Sequence, residues 1–172
     1  DVQNFLTLDE FRDFTMVVGH CEFKVHKFIF AARSETFAEL IKNNPNAEDL
    51  DLQDISVDVF KSILCYIYTD RLPETRNVHE VFAAAGRLKI RGLMAITGDL
   101  LIDSIDKHQS LSVLFQILSI ANKFEHDELR LTAFDVIKEH FPGRQLKEEL
   151  SRQPEVLKKL IDAKLTLENQ LE

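Results

Sequence analysis

The sequence is short of the residues that build disulfides, metal sites and phosphate-binding loops. Its 172 residues include no Trp, five Gly, four Pro and two Cys, Cys21 and Cys65. Two cysteines do not suggest a disulfide framework, and beside His20 and His26 they leave no second ligand pair at zinc spacing. We therefore predict no bound metal and no cofactor. Neither a glycine-rich loop nor a nucleophile elbow is present, so the chain is predicted not to be an enzyme; a triad of distant residues stays open.

Basic residues are fewer than acidic ones: 21 Lys and Arg against 29 Asp and Glu, which gives a formal net charge of −8. Because phosphate contacts need a basic surface, we expect no nucleic-acid partner. No apolar run approaches the ~20 residues that span a bilayer, so no membrane is expected either. The scarcity of cysteine fits a reducing compartment and predicts an intracellular protein, cytoplasmic or nuclear. The chain begins at Asp1 rather than Met, and we expect it to be a fragment of a longer protein.

The first half of the chain alternates between strand and helix patterns. Hydrophobic residues make up 45% of the sequence, and 13 of them are Phe, which predicts a Phe-rich core. Apolar runs bounded by turn residues predict three short strands, at 14–18, 22–25 and 50–52. Helical spacing predicts two helices between the second and third strands. His26 is interpreted as the joint between strand and helix, and Ser34 as the N-cap of the second helix.

The rest of the chain is predicted to be helical. Apolar positions at helical spacing indicate helices at 57–68, 78–85, about 92–105, 111–118 and 129–137, with another after Pro154. Asn77 and Glu80 predict a capping box at the second of these helices. The basic residues Arg87, Lys89 and Arg91 are interpreted as decorating a helix end. A small sheet followed only by helices indicates an α+β fold.

Several motifs, taken together in their order and spacing, resemble the BTB (POZ) family. They are Asp13 before the first strand, His26-Lys27, Ala31 to Ser34 with Phe37, Tyr66-Ile67-Tyr68, and the segment 83–93. The resemblance implies a small β-sheet flanked by a helical cluster over residues 1–105. Residues 106–172 are similar to the all-α helical hairpins called the three-box and BACK region. This layout is similar to that of cullin-3 adaptors of the speckle-type POZ class.

The resemblance implies a homodimer. BTB domains commonly pair through an N-terminal segment and the first helix, in an isologous interface repeated on both subunits. By position, the interface residues here would be Val2, Phe5, Leu6, Phe28 and Ile29. An apolar N-terminal segment needs a surface on which to bury its face, and the alternative is that it folds back on its own subunit.

The resemblance also implies docking on the N-terminal domain of cullin-3, the scaffold of a RING E3 ubiquitin ligase. The matching positions fall in three groups: Leu40, Ile41 and Glu48; Tyr66 and Tyr68; and Leu114, Leu118 and Asn122. Cullin-binding members usually carry a hydrophobic-any-glutamate motif in the loop after the second helix. Here the 42–48 loop is shorter and more polar. Glu48 would supply the carboxylate, but Asn46 occupies the place of the apolar anchor.

The implied function is a protein-interaction module, a homodimeric substrate adaptor for a cullin-3 ligase. Its substrate would be captured by a domain outside this fragment. The alternative is a BTB oligomerisation or scaffolding module that does not bind cullin-3. A corepressor-type BTB domain is a third class, less favoured because zinc fingers usually follow such domains instead of BACK-like helices.

Overall fold

The computed structural model describes residues 11–105 and 110–140. By its internal packing the chain divides into two units, residues 1–97 and 98–172. The first unit contains three strands, β1 (Phe14–Val18), β2 (Cys21–Val25) and β3 (Asp49–Asp51), and four helices, α1 (Lys27–Arg33), α2 (Glu35–Asn43), α3 (Val57–Thr69) and α4 (Val78–Arg87). Helix α5 (Arg91–Ser104) runs across the division, and α6 (Leu111–Lys123) and α7 (Asp127–His140) belong to the second unit. The predicted domain boundary, between residues 105 and 106, stays a prediction.

The sheet has the order β2-β1-β3. Strands β1 and β2 form the expected antiparallel hairpin, with Phe14 opposite Val25, and Gly19 takes the positive φ of 59° that the tight turn needs. Strand β3 pairs with β1 in parallel, so the chain returns through α1 and α2 before adding it. The predicted third strand therefore exists. It begins at Asp49, one residue earlier than the sequence pattern indicated.

Phenylalanine rings form the centre of the first unit, as the composition predicted. Phe14 and Phe37 meet edge to face with ring centroids 4.9 Å apart, and Phe37 lies 5.6 Å from Phe30. Phe60 joins them from α3, 6.3 Å from Phe30 and 5.0 Å from Phe23. Edge-to-face and tilted pairs of this kind add to the stabilisation that their buried area already gives. The sheet and helices α1, α2 and α3 are thereby joined around one aromatic cluster.

Two helix starts show how far local patterns decide the structure. The Ser34 hydroxyl accepts a hydrogen bond from Phe37 N at 3.1 Å, which confirms Ser34 as the N-cap of α2. Asn77 does precede α4, but its side chain makes no capping bond, so the predicted capping box is wrong. The reason is local: Thr75 Oγ1 already accepts from Asn77 N at 3.2 Å, and this N–H is the one that Glu80 would have bound.

The second unit contains a pair of helices, α6 and α7, joined by residues 124–126. The predicted apolar stripes are buried on both helices: Leu114, Phe115 and Leu118 on α6, and Leu129, Ala133 and Ile137 on α7. His126 caps α7, since its Nδ1 accepts from Leu129 N at 3.3 Å. The helix predicted after Pro154 lies outside the described residues. Within the part that is described, no helix is both long and apolar enough to cross a membrane.

Candidate protein-interaction surfaces

The outer side of α1 carries the most exposed large apolar side chain among the described residues. Phe28 is 76% exposed, and Phe11, just before β1, is 66% exposed. Both line a groove of about 550 Å³ together with Ile29, Ile67 and the charged Arg33. We call this the α1 groove. Phe28 and Ile29, two of the predicted dimer residues, therefore lie on one open apolar face. The other three, Val2, Phe5 and Leu6, lie outside the described residues.

A buried pair of hydrogen bonds fixes the start of α1 beside this groove. The Tyr68 hydroxyl accepts from His26 N at 3.1 Å and lies 2.7 Å from His26 Nδ1. The hydroxyl can both donate and accept, so the tautomer of the His26 ring decides which of the two groups donates in the second bond. Burial raises the pKa of Tyr68, partly opposed by the hydrogen bond from His26. His26 is at the joint between β2 and α1, as predicted.

Asp13 and Lys27 extend this anchoring to the neighbouring loop. Asp13 Oδ1 accepts from Lys27 N at 2.7 Å, which places a carboxylate at the positive end of α1. Lys27 Nζ donates to the Ala47 carbonyl at 2.8 Å and lies 5.4 Å from the Phe14 ring centroid. One lysine side chain thus links α1 to the loop that leads into β3.

The first predicted docking element was the 42–48 loop, but Lys42 and Asn43 belong to α2, and the loop is therefore 44–48. Its backbone is held by hydrogen bonds. Asn44 N donates to the Leu40 carbonyl at 2.8 Å, and Thr15 N donates to the Glu48 carbonyl at 2.9 Å. The Glu48 and Asn46 side chains are exposed, whereas Leu40 and Ile41 are half-buried and pack against the core. The loop is therefore polar and its backbone is fixed. The Glu48 carboxylate is exposed to solvent, whereas Leu40 and Ile41 at the end of α2 are only partly accessible to a partner.

The remaining predicted docking residues are mostly buried within their own units. Tyr66 is 6% exposed and Tyr68 is 4% exposed, and their hydroxyls lie against different elements, α5 and α1. Leu114 and Leu118 are fully buried in the second unit, where Asn122 is half-buried. These side chains pack mainly within their own units, and their contact with a partner stays a prediction.

The basic residues at the end of α4 and just beyond it form ion pairs with acidic residues elsewhere in the first unit. Arg87 pairs with Asp54 at 3.2 Å, Lys89 with Glu39 at 3.5 Å and Arg91 with Glu35 at 2.6 Å. Arg87 ends α4, as the interpretation of this cluster as helix-end decoration expected, whereas Arg91 begins α5 and so lies at the positive end of its helix. The sequence did not reveal that Lys89 and Arg91 line a pocket of about 340 Å³ with Arg33, Glu35, Tyr66 and Gly92. We call it the α5 pocket.

Neither cysteine forms a disulfide; Cys21 is exposed and Cys65 is half-buried. Across residues 11–105 and 110–140, no three His, Cys, Asp or Glu side chains converge in a way that could hold a metal ion.

Comparison with known proteins gives the same family throughout. A family model described as the BTB/POZ domain matches residues 2–105. The solved BTB (Tramtrack and Bric a brac) domain of human gigaxonin superposes with a TM-score of 0.53 at 27% identity, covering 58% of this chain and 86% of that one. The BTB domain of zebrafish PATZ1 gives a TM-score of 0.51 at 29% identity, covering 55% and 78%.

Two curated relatives extend the match beyond the sheet and the first helices. TD and POZ domain-containing protein 3 of Mus musculus is 30% identical over 131 residues, 73% of this chain and 34% of that protein. Kelch-like protein 40 of Xenopus tropicalis is 26% identical over 144 residues, 81% of this chain and 23% of that protein. The chain thus spans about a third or less of the length of these relatives. Since the family model covers more than half of its residues, the chain belongs to the BTB/POZ domain family.

Proposed function

We propose that this chain is the homodimerising BTB module of a substrate adaptor for a cullin-3 RING E3 ubiquitin ligase. BTB/POZ domains are a family of protein-interaction modules and not of enzymes, so the function depends on which surfaces of the chain bind which partners. One observation carries the proposal: the open apolar face of the α1 groove, centred on Phe28, which is 76% exposed. Phe28 and Phe11 are both exposed and line the same groove, and a contiguous apolar patch of this kind is typical of an interaction surface.

A second copy of the chain is the proposed occupant of that face. The α1 groove adjoins Phe11, where the described part of the chain begins, and the apolar residues Val2, Phe5 and Leu6 precede it in sequence. In a two-fold interface each favourable contact occurs twice, so a modest apolar patch can sustain a dimer. Sedimentation equilibrium measures this directly: twice the chain mass is expected, and the mass of one chain at the highest concentrations would rule out the dimer.

Cullin-3 docking is proposed for the α2 end and the 44–48 loop, with contributions from Tyr66 and Tyr68 and from Leu114, Leu118 and Asn122. Its support is the backbone of the loop, which is fixed by Lys27 and Thr15 and therefore needs no ordering on binding. The exposed Glu48 carboxylate is available to a donor on the partner. Because Asn46 replaces an apolar anchor, we expect a dissociation constant in the micromolar range, not the nanomolar range.

Calorimetric titration with the cullin-3 N-terminal domain tests this docking. Glu48→Gln removes the proposed charged contact and should weaken binding by about tenfold. Glu22→Gln is the matched control, because Glu22 is also an exposed glutamate but lies on β2, outside the proposed surface. Equal affinities for the two variants would remove Glu48 from the interface.

The alternative is a scaffolding module that dimerises without cullin-3, and the polar loop around Asn46 favours it. It predicts a dimer mass together with no heat of binding at tens of micromolar cullin-3. In the adaptor, a domain outside this chain captures the substrate, and two copies per dimer raise the effective concentration of substrate sites. Such an adaptor would work inside the cell, in the cytoplasm or the nucleus.

A further inference from the structure

The α5 pocket contains a tyrosine hydroxyl that has no hydrogen-bond partner among the described residues. Tyr66 is 6% exposed, yet the described part of the chain supplies no hydrogen bond to its hydroxyl, whereas the Tyr68 hydroxyl binds His26 twice. The Tyr66 hydroxyl lies against the start of α5: a Cβ added to Gly92 would be only 2.3 Å from it. The side chain is largely buried and no described group bonds to its hydroxyl, so this hydroxyl is available to a ligand in the pocket.

The same pocket gathers hydrogen-bond donors of the kind that bind anions. Gly92 is the second residue of α5, a 14-residue helix, and the N–H groups of a helix's first turn have no carbonyl partner within the helix. Gly92 has no side chain to shield this backbone. Arg33 lies over the Tyr66 ring, 5.3 Å from its centroid, and Lys89 and Arg91 line the pocket as well. Tyrosine hydroxyl, helix N-terminus and cations thus converge on one space.

The carboxylates already present do not close the pocket to an anion. Glu35 lines it and pairs with Arg91, but the Arg91 side chain is 84% exposed and that of Glu35 is 47% exposed. Exposed ion pairs are weak and exchange partners readily in water. Arg33 and Lys89 also have carboxylate partners, Asp70 and Glu39, and neither of those carboxylates lines the pocket. Glu35 is therefore the one side chain of the lining that opposes an anionic ligand.

We propose that the α5 pocket binds an oxyanion, the phosphate or carboxylate group of a phosphorylated or acidic peptide side chain. The ligand oxygens accept from the Tyr66 hydroxyl and from the first-turn N–H groups of α5, while Arg33 and Arg91 supply the charge. A pocket of about 340 Å³ is large enough to admit such a group. This site does not depend on dimerisation or on cullin-3 docking.

The test is a titration of the isotope-labelled chain, followed by the Gly92 amide resonance, with inorganic phosphate in one arm and acetate in the other. Ionic strength is held constant with chloride, because screening alone shifts many resonances. Saturable movement of the Gly92 resonance in either arm supports the site, and the tighter arm identifies the source of the oxyanion. Movement that is linear with concentration in both arms overturns the proposal.

Three variants distinguish specific binding in the pocket from nonspecific attraction of anions to positive charge. Tyr66→Phe changes no charge but should weaken binding by about tenfold, since it removes a hydrogen bond to a charged group. Glu35→Gln removes the opposing carboxylate and should strengthen binding severalfold. Lys24→Met, an exposed lysine of β2 outside the pocket, should leave it unchanged. A Tyr66→Phe affinity equal to that of the unmodified chain contradicts the proposal, because the hydroxyl is its central element.

Discussion

Tyr68→Phe and Tyr66→Phe remove the same atom from two residues of α3, but only Tyr68→Phe should lower the stability. The Tyr68 hydroxyl is buried and bonded to both the backbone N–H and the ring of His26, 42 residues earlier in the chain. Its removal leaves two buried groups of His26 without this partner. A buried donor or acceptor that loses its partner costs about 1–3 kcal/mol. We therefore expect Tyr68→Phe to lower the free energy of unfolding by about 2 kcal/mol.

Tyr66→Phe is the matched control, because no hydrogen bond to its hydroxyl is lost among the described residues. Its free energy of unfolding should stay within about 0.5 kcal/mol of that of the unmodified chain. Urea denaturation followed by circular dichroism measures both variants, at equal protein concentration because the proposed dimer would contribute to the apparent stability. Equal losses from the two substitutions, or no loss from Tyr68→Phe, would refute the hydrogen-bond assignment.

The raised pKa of Tyr68 adds a pH dependence of known sign. Burial, its largest cause, keeps the folded-state hydroxyl protonated above the usual value of 10.0, at which the unfolded chain ionises. The folded state then holds one proton more than the unfolded state, so stability falls as pH rises. The contribution is complete below about pH 10 and is lost as pH rises through the folded-state pKa. Tyr68→Phe should be less sensitive between about pH 8 and pH 10.5 than Tyr66→Phe.

Three further outcomes follow from the same contacts. Phe28→Ala should raise the dissociation constant of the dimer by about a thousandfold in sedimentation equilibrium, because about 2 kcal/mol is lost for each of two copies. Leu131→Ala is the control: Leu131 is another exposed apolar residue, and this variant should leave the dissociation constant unchanged. Lys27→Met should speed amide hydrogen exchange in residues 44–48, and Lys27→Arg should restore slow exchange, since both cationic side chains can donate to the Ala47 carbonyl. Gly92→Ala should destabilise the first unit by about 1 kcal/mol through its 2.3 Å clash with the Tyr66 hydroxyl, and Tyr66→Phe should rescue it, as thermal unfolding of the double variant would show.

The parts of the fold that the sequence could predict are those decided by neighbours along the chain. The β1–β2 hairpin follows from an apolar run, a glycine turn and an alternating arm, and the Ser34 cap follows from a serine three residues before Phe37. The failed capping box at Asn77 shows the limit of such patterns. A competing acceptor two residues away, Thr75, is sufficient to redirect the N–H.

The contacts that define the surfaces are long-range, and no local pattern contains them. The His26–Tyr68 bonds and the Lys27–Ala47 bond join residues that folding brings together. The α5 pocket combines Arg33, Tyr66 and Gly92 from three elements, and the sequence offered only the basic cluster beside it. The parallel pairing of β3 with β1 likewise depends on how α1 and α2 pack, which spacing alone does not specify.

We propose that two copies of this chain, paired through α1, dock together on cullin-3. Light scattering of the chain mixed with the cullin-3 N-terminal domain, resolved by size exclusion at tens of micromolar, measures both associations at once. We expect one species whose mass equals two chains and two cullin-3 domains. Separate peaks, a dimer of the chain and free cullin-3 domain, would contradict the adaptor assignment and leave the scaffolding module. A one-to-one complex would contradict the dimer.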